Sequence, residues 1–161
     1  MSISVIIPTY NEKENLPLLV KRLQALPLKD LSILVIDDNS PDGTGALADE
    51  LAAKYPAQIS VMHRPGKLGL GTAYIAGFKQ LIQTGVDYIV QMDADFSHEP
   101  EKIVEFIAAV EGYGIVLGSR YVPGGSLDTS WPFWRKALSG FGNTYARVIL
   151  GMPVKDLTGG F

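Results

Sequence analysis

The sequence predicts an α/β domain with a mostly parallel sheet and helices on both faces. Strand-like and helix-like segments alternate along the chain. The strand-like runs, Ser4 to Pro8 and Leu31 to Ile36 above all, are apolar nearly throughout, as in strands covered on both sides. The segments between them are long enough for helical crossovers, which are right-handed in such sheets.

Each element follows from local signals. Ser4 to Pro8 is β-branched and apolar, the first strand. Asn11-Glu12-Lys13-Glu14 has the spacing of a capping box, with Asn11 as the cap and Glu14 three residues on. Leu16, Leu19, Val20, Leu23 and Leu26 recur at helical spacing and predict one buried face. Leu31 to Ile36 is a second strand, ending in Asp37-Asp38. Thr44 to Tyr55 reads as a helix that stops before Pro56, and Gln58 to Met62 as a third strand. A helix over Gly71 to Thr84 would bury Ile75, Phe78 and Ile82; Asp87 to Met92 is the next strand. Pro100 suits the first turn of a helix burying Ile103, Ile107 and Val110. Ile115 to Leu117 reads as a short fifth strand, and Trp131 to Leu150 as a helix after Pro132, weakened by Gly140 and Gly142.

A chain of 161 residues suffices for one domain with a real core. A formal charge of −3 argues against non-specific nucleic-acid binding, which needs a basic face. The absence of cysteine excludes disulfides, thiolate metal sites and a cysteine nucleophile. The N-terminus lacks a basic region ahead of an apolar stretch, so a cytoplasmic location is the expectation. No run approaches the roughly 20 apolar residues of a spanning helix; Ala137 to Met152 is interrupted by Asn143 and Arg147. Any membrane contact is therefore expected to be peripheral.

In a parallel sheet, ligands bind at the carboxyl ends of the strands. The polar residues gather there: Tyr10, Asn11 and Glu12 after the first strand, Asp37 and Asp38 after the second, Asp93 and Asp95 after the fourth, Ser119 and Arg120 after the fifth. Residues two apart in a strand point the same way, so Asp93 and Asp95 converge if the extended geometry persists. Two hard oxygen ligands suit Mg²⁺ or Mn²⁺, ions that also hold substrate phosphates. The competing reading is a strand end followed by a helix-capping aspartate. Asp37-Asp38-Asn39-Ser40-Pro41-Asp42-Gly43-Thr44 is rich in turn formers, which accounts for Pro41, Asp42, Gly43 and Thr44; Asp38 is better read as an acceptor for a nucleobase or ribose.

Gly66-Lys67-Leu68-Gly69-Leu70-Gly71-Thr72 fails two nucleotide-loop patterns. The dinucleotide fingerprint starting at Gly69 needs glycine where Tyr74 stands, and the P-loop needs Ser or Thr where Leu68 follows Lys67. A nicotinamide-dependent oxidoreductase is disfavoured accordingly; the loop reads as a flexible approach to a helix, close to a ligand. Arg120 follows a strand and precedes Tyr121-Val122-Pro123-Gly124-Gly125; its guanidinium can hold a phosphate bidentately or form a surface salt bridge. Arg135 and Ser139, four apart and close to Lys136, Trp131 and Trp134, offer a second anion cluster. His98 adjoins the carboxylates and is read as fixing their turn, with metal ligation as the alternative.

Taken together, Ile6-Ile7-Pro8-Thr9-Tyr10-Asn11-Glu12, the Asp37-to-Thr44 turn, Asp93-Ala94-Asp95-Phe96-Ser97-His98, Gly118-Ser119-Arg120-Tyr121 and the closing Asp156-Leu157-Thr158-Gly159-Gly160-Phe161 resemble the family 2 glycosyltransferases of the Rossmann-like GT-A fold, the polyprenyl-phosphate (dolichol-phosphate) mannosyltransferase group in particular. The resemblance implies that residues 1–161 are a single catalytic domain. It implies a nucleotide-sugar pocket of Pro8, Tyr10, Glu12, Ile36, Asp38, Asp93, Ala94, Asp95 and Ser97, with Mg²⁺ or Mn²⁺ held by Asp93, Asp95 and Ser97. Arg120, Arg135 and Ser139 would hold the acceptor phosphate, and Asp95 and Arg120 would be the catalytic pair. Some relatives have an amide at the position of Ser97. The implied reaction is inverting transfer of mannose from GDP-mannose to a polyprenyl phosphate at the cytoplasmic face of a membrane. Glucose or an N-acetylhexosamine is the alternative sugar. Members continue beyond the position of Phe161, so the resemblance also implies a truncated C-terminus, and a nucleotide-sugar-binding module without turnover is a further alternative.

Overall fold

The computed structural model describes residues 1–120, 122, 132–151, 154, 156 and 161, with backbone alone at 135 and 136. The chain forms two compact units, Met1–Glu111 and Gly112–Phe161. The first alternates strand and helix: β1 (Ser2–Thr9), α1 (Asn15–Gln24), β2 (Asp30–Asp37), α2 (Thr44–Lys54), β3 (Ile59–His63), α3 (Leu70–Ile82), β4 (Tyr88–Gln91) and α4 (Lys102–Ala109). Its four strands are parallel in the order β3-β2-β1-β4. The expected fold class is the observed one.

The central strands are buried on both sides, which is why they read as continuous apolar runs. Val5, Ile6 and Ile7 of β1 and Leu34, Val35 and Ile36 of β2 are all fully buried. Ile6, Leu34 and Ile36 pack under Ala73, Tyr74 and Leu81 of α3. On the opposite face, Gly45 of α2 stands so close to Asp37 that a Cβ there would lie 2.7 Å from its Oδ2. α1 buries Leu16, Leu19, Val20 and Leu23 as its periodicity predicts; Leu26 lies past the end of the helix and is half-buried.

Several expectations need correction. Asn11 and Glu14 do not form a capping box: α1 starts at Asn15 and has no side-chain cap. Asn11 instead takes a left-handed turn (φ 63°) and donates its backbone N–H to Ser40 Oγ at 3.1 Å, while the Glu12 carbonyl accepts from Asn15 and Leu16. Loop-to-loop bonding across the strand ends replaces local capping. α3 buries Ala73, Tyr74, Gly77 and Leu81, leaving Ile75 and Ile82 more than half exposed and Phe78 partly buried. The helix is apolar nearly all round, so periodicity does not select a face; the small residues Ala73 and Gly77 do, by letting the helix approach the sheet. Ile115 to Leu117 is irregular, with Ile115 and Leu117 exposed. Three apolar residues between Gly114 and Gly118 gain too few ladder bonds to offset the entropy of ordering them. α4 fully buries Ile103 alone of its expected trio; Ile107 and Val110 are half-buried.

The second unit contains α5 (Phe133–Leu150), which starts after Pro132 in extended conformation, as expected. Phe133, Trp134, Phe141, Val148 and Ile149 on it are exposed. Among the described residues no helix is long and apolar enough to cross a membrane.

Candidate active site

The parallel register brings the strand ends to one rim. Thr9 pairs with Asp37 and Asp37 with His63, while Ile6 pairs with Gln91, so counting onward brings Asp93 level with Pro8. A cleft of about 270 Å³ opens there, lined by Pro8, Thr9, Tyr10, Glu12, Asp38, Lys67, Leu70, Ala73, Asp93, Ala94 and Asp95. Seven expected nucleotide-site residues thus share one cavity: Pro8, Tyr10, Glu12, Asp38, Asp93, Ala94 and Asp95. Ile36 is different. It is fully buried in the core beneath α3 and does not line the cleft.

The two acids ending β2 have separate tasks, because neighbours in a strand face opposite ways. Asp37, on the α2 side, organises the turn. It accepts from Ser40 N at 3.1 Å, from Ser40 Oγ at 2.6 Å and from Thr9 Oγ1 at 3.2 Å. Asp38 faces the cleft and meets Arg64, which directly follows β3. Arg64 Nε lies 2.9 Å from Asp38 Oδ1 at an angle too poor for a hydrogen bond, and Nη2 donates to Oδ2 at 3.3 Å. Both side chains are less than a tenth exposed. Arg64 Nη2 also donates to Thr72 Oγ1 at 3.0 Å, tying Asp38 to the first turn of α3. Asp42 is structural, as expected: it accepts from Thr44 N, Thr44 Oγ1 and Lys13 N.

After β4 the chain turns sharply, with Phe96 left-handed (φ 60°) under the Arg22 guanidinium. Asp93 N donates to His98 Nδ1 at 3.3 Å, the turn-fixing role expected of that histidine. Tyr74 Oη donates to Asp93 Oδ1 at 2.7 Å. Burial first, and then the Asp93 carboxylate, push the Tyr74 hydroxyl well above the ordinary tyrosine range, so it stays a donor. Asp95 Oδ1 accepts from Ser97 N at 2.9 Å. Partial burial opposes ionisation of Asp95, but hydrogen bonds from Ser97 and the nearby His98 outweigh it and hold the carboxyl below the usual aspartate range. Ser97 itself is exposed beside Asp95.

Among the described residues no group of three or more acids and histidines is gathered for a metal. Asp93 and Asp95 nonetheless fit a hard divalent cation. Oδ1 of Asp93 is engaged by Tyr74 and Oδ1 of Asp95 by the Ser97 backbone N–H, Oδ2 of Asp93 has no described partner, and Mg²⁺-type sites commonly use one or two carboxylates with substrate phosphate and water completing the shell.

Tyr10 carries the Lys67 ammonium over its ring, 4.3 Å from the centroid, so the glycine-rich loop does reach the cleft. Sequence reasoning missed Tyr74, Arg64 and Thr72. Arg64 alone had a readable signal, an arginine placed directly after an apolar strand.

In the second unit, Arg120 is tied to Asp156: Nε donates to Oδ2 at 2.8 Å, Nη2 to Oδ1 at 2.9 Å, and the backbone N–H to Oδ2 at 3.1 Å. The Asp156 side chain is fully buried. One edge of the Arg120 fork is therefore engaged by a carboxylate. Ser139 lies half-buried on α5. The side chains of Arg135 and Lys136, and Tyr121, 123–131 and 157–160, lie outside the described residues.

Known proteins extend this picture. Residues 4–161 match the family model "Glycosyl transferase family 2". The chain is 53% identical over 159 residues to polyprenol monophosphomannose synthase of Mycolicibacterium smegmatis, covering 98% of this chain and 59% of that protein. It is 49% identical over 162 residues to undecaprenyl-phosphate mannosyltransferase of Micrococcus luteus, covering 100% and 65%. The chain thus spans about three-fifths of the length of these relatives. Among solved structures, the mannosyltransferase PcManGT from Pyrobaculum calidifontis, in complex with GDP-Man and Mn²⁺, shares the fold: TM-score 0.58, 20% identity, 67% of this chain and 32% of that one. With the cleft, its paired carboxylates and a match over nearly the whole sequence, the chain belongs to glycosyl transferase family 2.

Proposed function

We propose that this chain carries the donor half of a metal-dependent enzyme that transfers mannose from GDP-mannose to a polyprenyl phosphate with inversion. The observation that carries the reading is the meeting of Asp93 and Asp95 with Tyr10, Glu12 and Asp38 around one cleft. The relatives' names support the acceptor and the sugar, and the complex of PcManGT supports GDP-mannose as donor and a divalent ion as cofactor.

The chemistry suits the residues. Bound at Asp93 and Asp95, with Ser97 beside them, Mg²⁺ or Mn²⁺ would supply charge neutralisation of the diphosphate. Tyr10 offers a ring face, and Asp38, held by Arg64, offers acceptor oxygens for the nucleoside. An oxygen of the acceptor phosphate forms the new bond to the anomeric carbon as the bond from that carbon to the diphosphate breaks and GDP departs. The phosphate is already anionic at neutral pH, so the site needs no strong base. Arg120, Arg135 and Ser139 are proposed to align it by positioning. The exposed apolar side chains of α5 would rest against lipid at the cytoplasmic face of a membrane.

Calorimetric titration of GDP and GDP-mannose, with and without Mg²⁺, tests the donor site in the chain and in Asp95→Ala. Metal-dependent binding that the variant loses is the expected result; a folded chain whose nucleotide binding ignores metal overturns the assignment. A second reading, nucleotide-sugar binding without turnover, is favoured by the engagement of Arg120 with Asp156. Transfer of labelled mannose to undecaprenyl phosphate by this chain would eliminate it. Repeating the transfer with UDP-glucose and UDP-N-acetylglucosamine distinguishes the sugars.

A further inference from the structure

Tyr74 is 7% exposed and sits on the sheet-facing side of α3, yet its hydroxyl reaches a carboxylate of the cleft. The reach depends on how closely α3 approaches the sheet. Gly77, one turn on, lies against Ile6 and Ile36: a Cβ there would fall 2.8 Å from Ile36 Cδ1 and 2.9 Å from Ile6 Cδ1 and Cγ2. The glycine sets the height of the helix and the helix sets the height of the hydroxyl.

A buried hydroxyl 2.7 Å from one carboxylate oxygen restrains the orientation of that carboxylate. Oδ1 of Asp93 is held by Tyr74 and its backbone N–H by His98, while Oδ2 has no described partner and the residue lines the cleft. We propose that Tyr74 is a positioning residue that orients Asp93 for a divalent cation and thereby sets the cation affinity of the nucleotide site. This inference rests on the reading of Asp93 and Asp95 as cation ligands. Outer partners of metal-binding carboxylates commonly govern metal affinity by about 10- to 100-fold.

The test uses Tyr74→Phe, which keeps the ring and removes the hydroxyl. Mn²⁺ is titrated into the chain at saturating GDP, with free Mn²⁺ followed by electron paramagnetic resonance, and GDP affinity is measured separately in EDTA. The Phe variant should need on the order of 10-fold more Mn²⁺ for half-saturation while its GDP affinity in EDTA stays at the wild-type value. In an Asp93→Asn background, Tyr74→Phe should add nothing. An Asp95→Ala variant that loses Mn²⁺ binding while Tyr74→Phe retains wild-type affinity overturns the role of Tyr74 and leaves the cation site standing. A wild-type chain that binds no Mn²⁺ with GDP overturns both. Equal weakening of GDP binding in EDTA, or an undiminished effect in the Asp93→Asn background, assigns Tyr74 to packing and overturns the proposal.

Discussion

Replacing Gly77 with alanine separates packing from helix propensity. In an exposed helix the change gains about 1 kcal/mol, because glycine carries the greater backbone entropy cost. At Gly77 the new methyl would sit 2.8 Å from Ile36 Cδ1 and 2.9 Å from two carbons of Ile6. Carbon atoms prefer about 3.5–4.0 Å, so the helix or the isoleucines must give way by roughly 0.7 Å or more. Both isoleucines are fully buried, so a shift of either must displace packed neighbours. Overpacking of this kind costs about 1–3 kcal/mol. Subtracting the propensity gain leaves a net loss of about 1 kcal/mol, or a melting temperature lower by roughly 2–4 °C for a chain of this size. Gly71 is the internal control. It lies in the same helix with nothing within 4 Å of where a Cβ would stand, so Gly71→Ala should gain stability, by up to about 1 kcal/mol. Urea denaturation of the two variants should give opposite signs. A Gly77→Ala protein at least as stable as wild type would refute the account of how α3 is seated.

Three further perturbations test other parts of the frame. Arg64→Ala leaves the buried Asp38 carboxylate without its partner and should cost about 3–5 kcal/mol in urea denaturation; adding Asp38→Ala should restore part of that loss, and strict additivity would count against the pair. Ser40→Ala removes the hydroxyl that donates to Asp37 and accepts from Asn11 N, and should cost about 1–3 kcal/mol by the same measurement, whereas an unchanged midpoint would show that the turn does not depend on it. Asp87 is held below the usual aspartate range chiefly by the Ser2 backbone N–H and then its hydroxyl. A folded-state value below the unfolded one contributes stability above about pH 4 that is lost as pH falls further. Asp87→Asn should therefore melt lower than wild type at neutral pH, with the difference closing on acidification; a constant gap from pH 7 to pH 3 would contradict this.

Much of the fold was legible because its signals are dense. Continuous apolar strands flanked by helical spacing specify a parallel sheet, and such a sheet specifies which strand ends form the rim. That rule alone brings Tyr10, Glu12, Asp38, Asp93 and Asp95 together. The failures have a common origin in contacts between distant segments. Asn11 and Glu14 satisfy a local capping pattern, yet Ser40 claims the Asn11 N–H from 29 residues away. Ile36 has the position of a pocket residue, yet the approach of α3 covers it. In the sequence, Tyr74 stands out only as the residue that spoils a glycine fingerprint. The role of its hydroxyl depends on how near the helix lies to the sheet, which Gly77 determines through contacts with two other strands.

The two adjacent aspartates at the end of β2 carry a consequence for how this sheet tolerates change. One faces α2 and braces a turn; the other faces the cleft beside Arg64. Their chemical identity is the same, so only the parity of the strand distinguishes them. A single residue inserted into β2 would exchange the two, sending the bracing carboxylate into the cleft and the cleft-facing one into the turn, although every residue would still be present. Eight consecutive pairs with β1 and five with β3 hold that parity. Length variation is therefore expected in the connections around β2 and excluded from the strand itself.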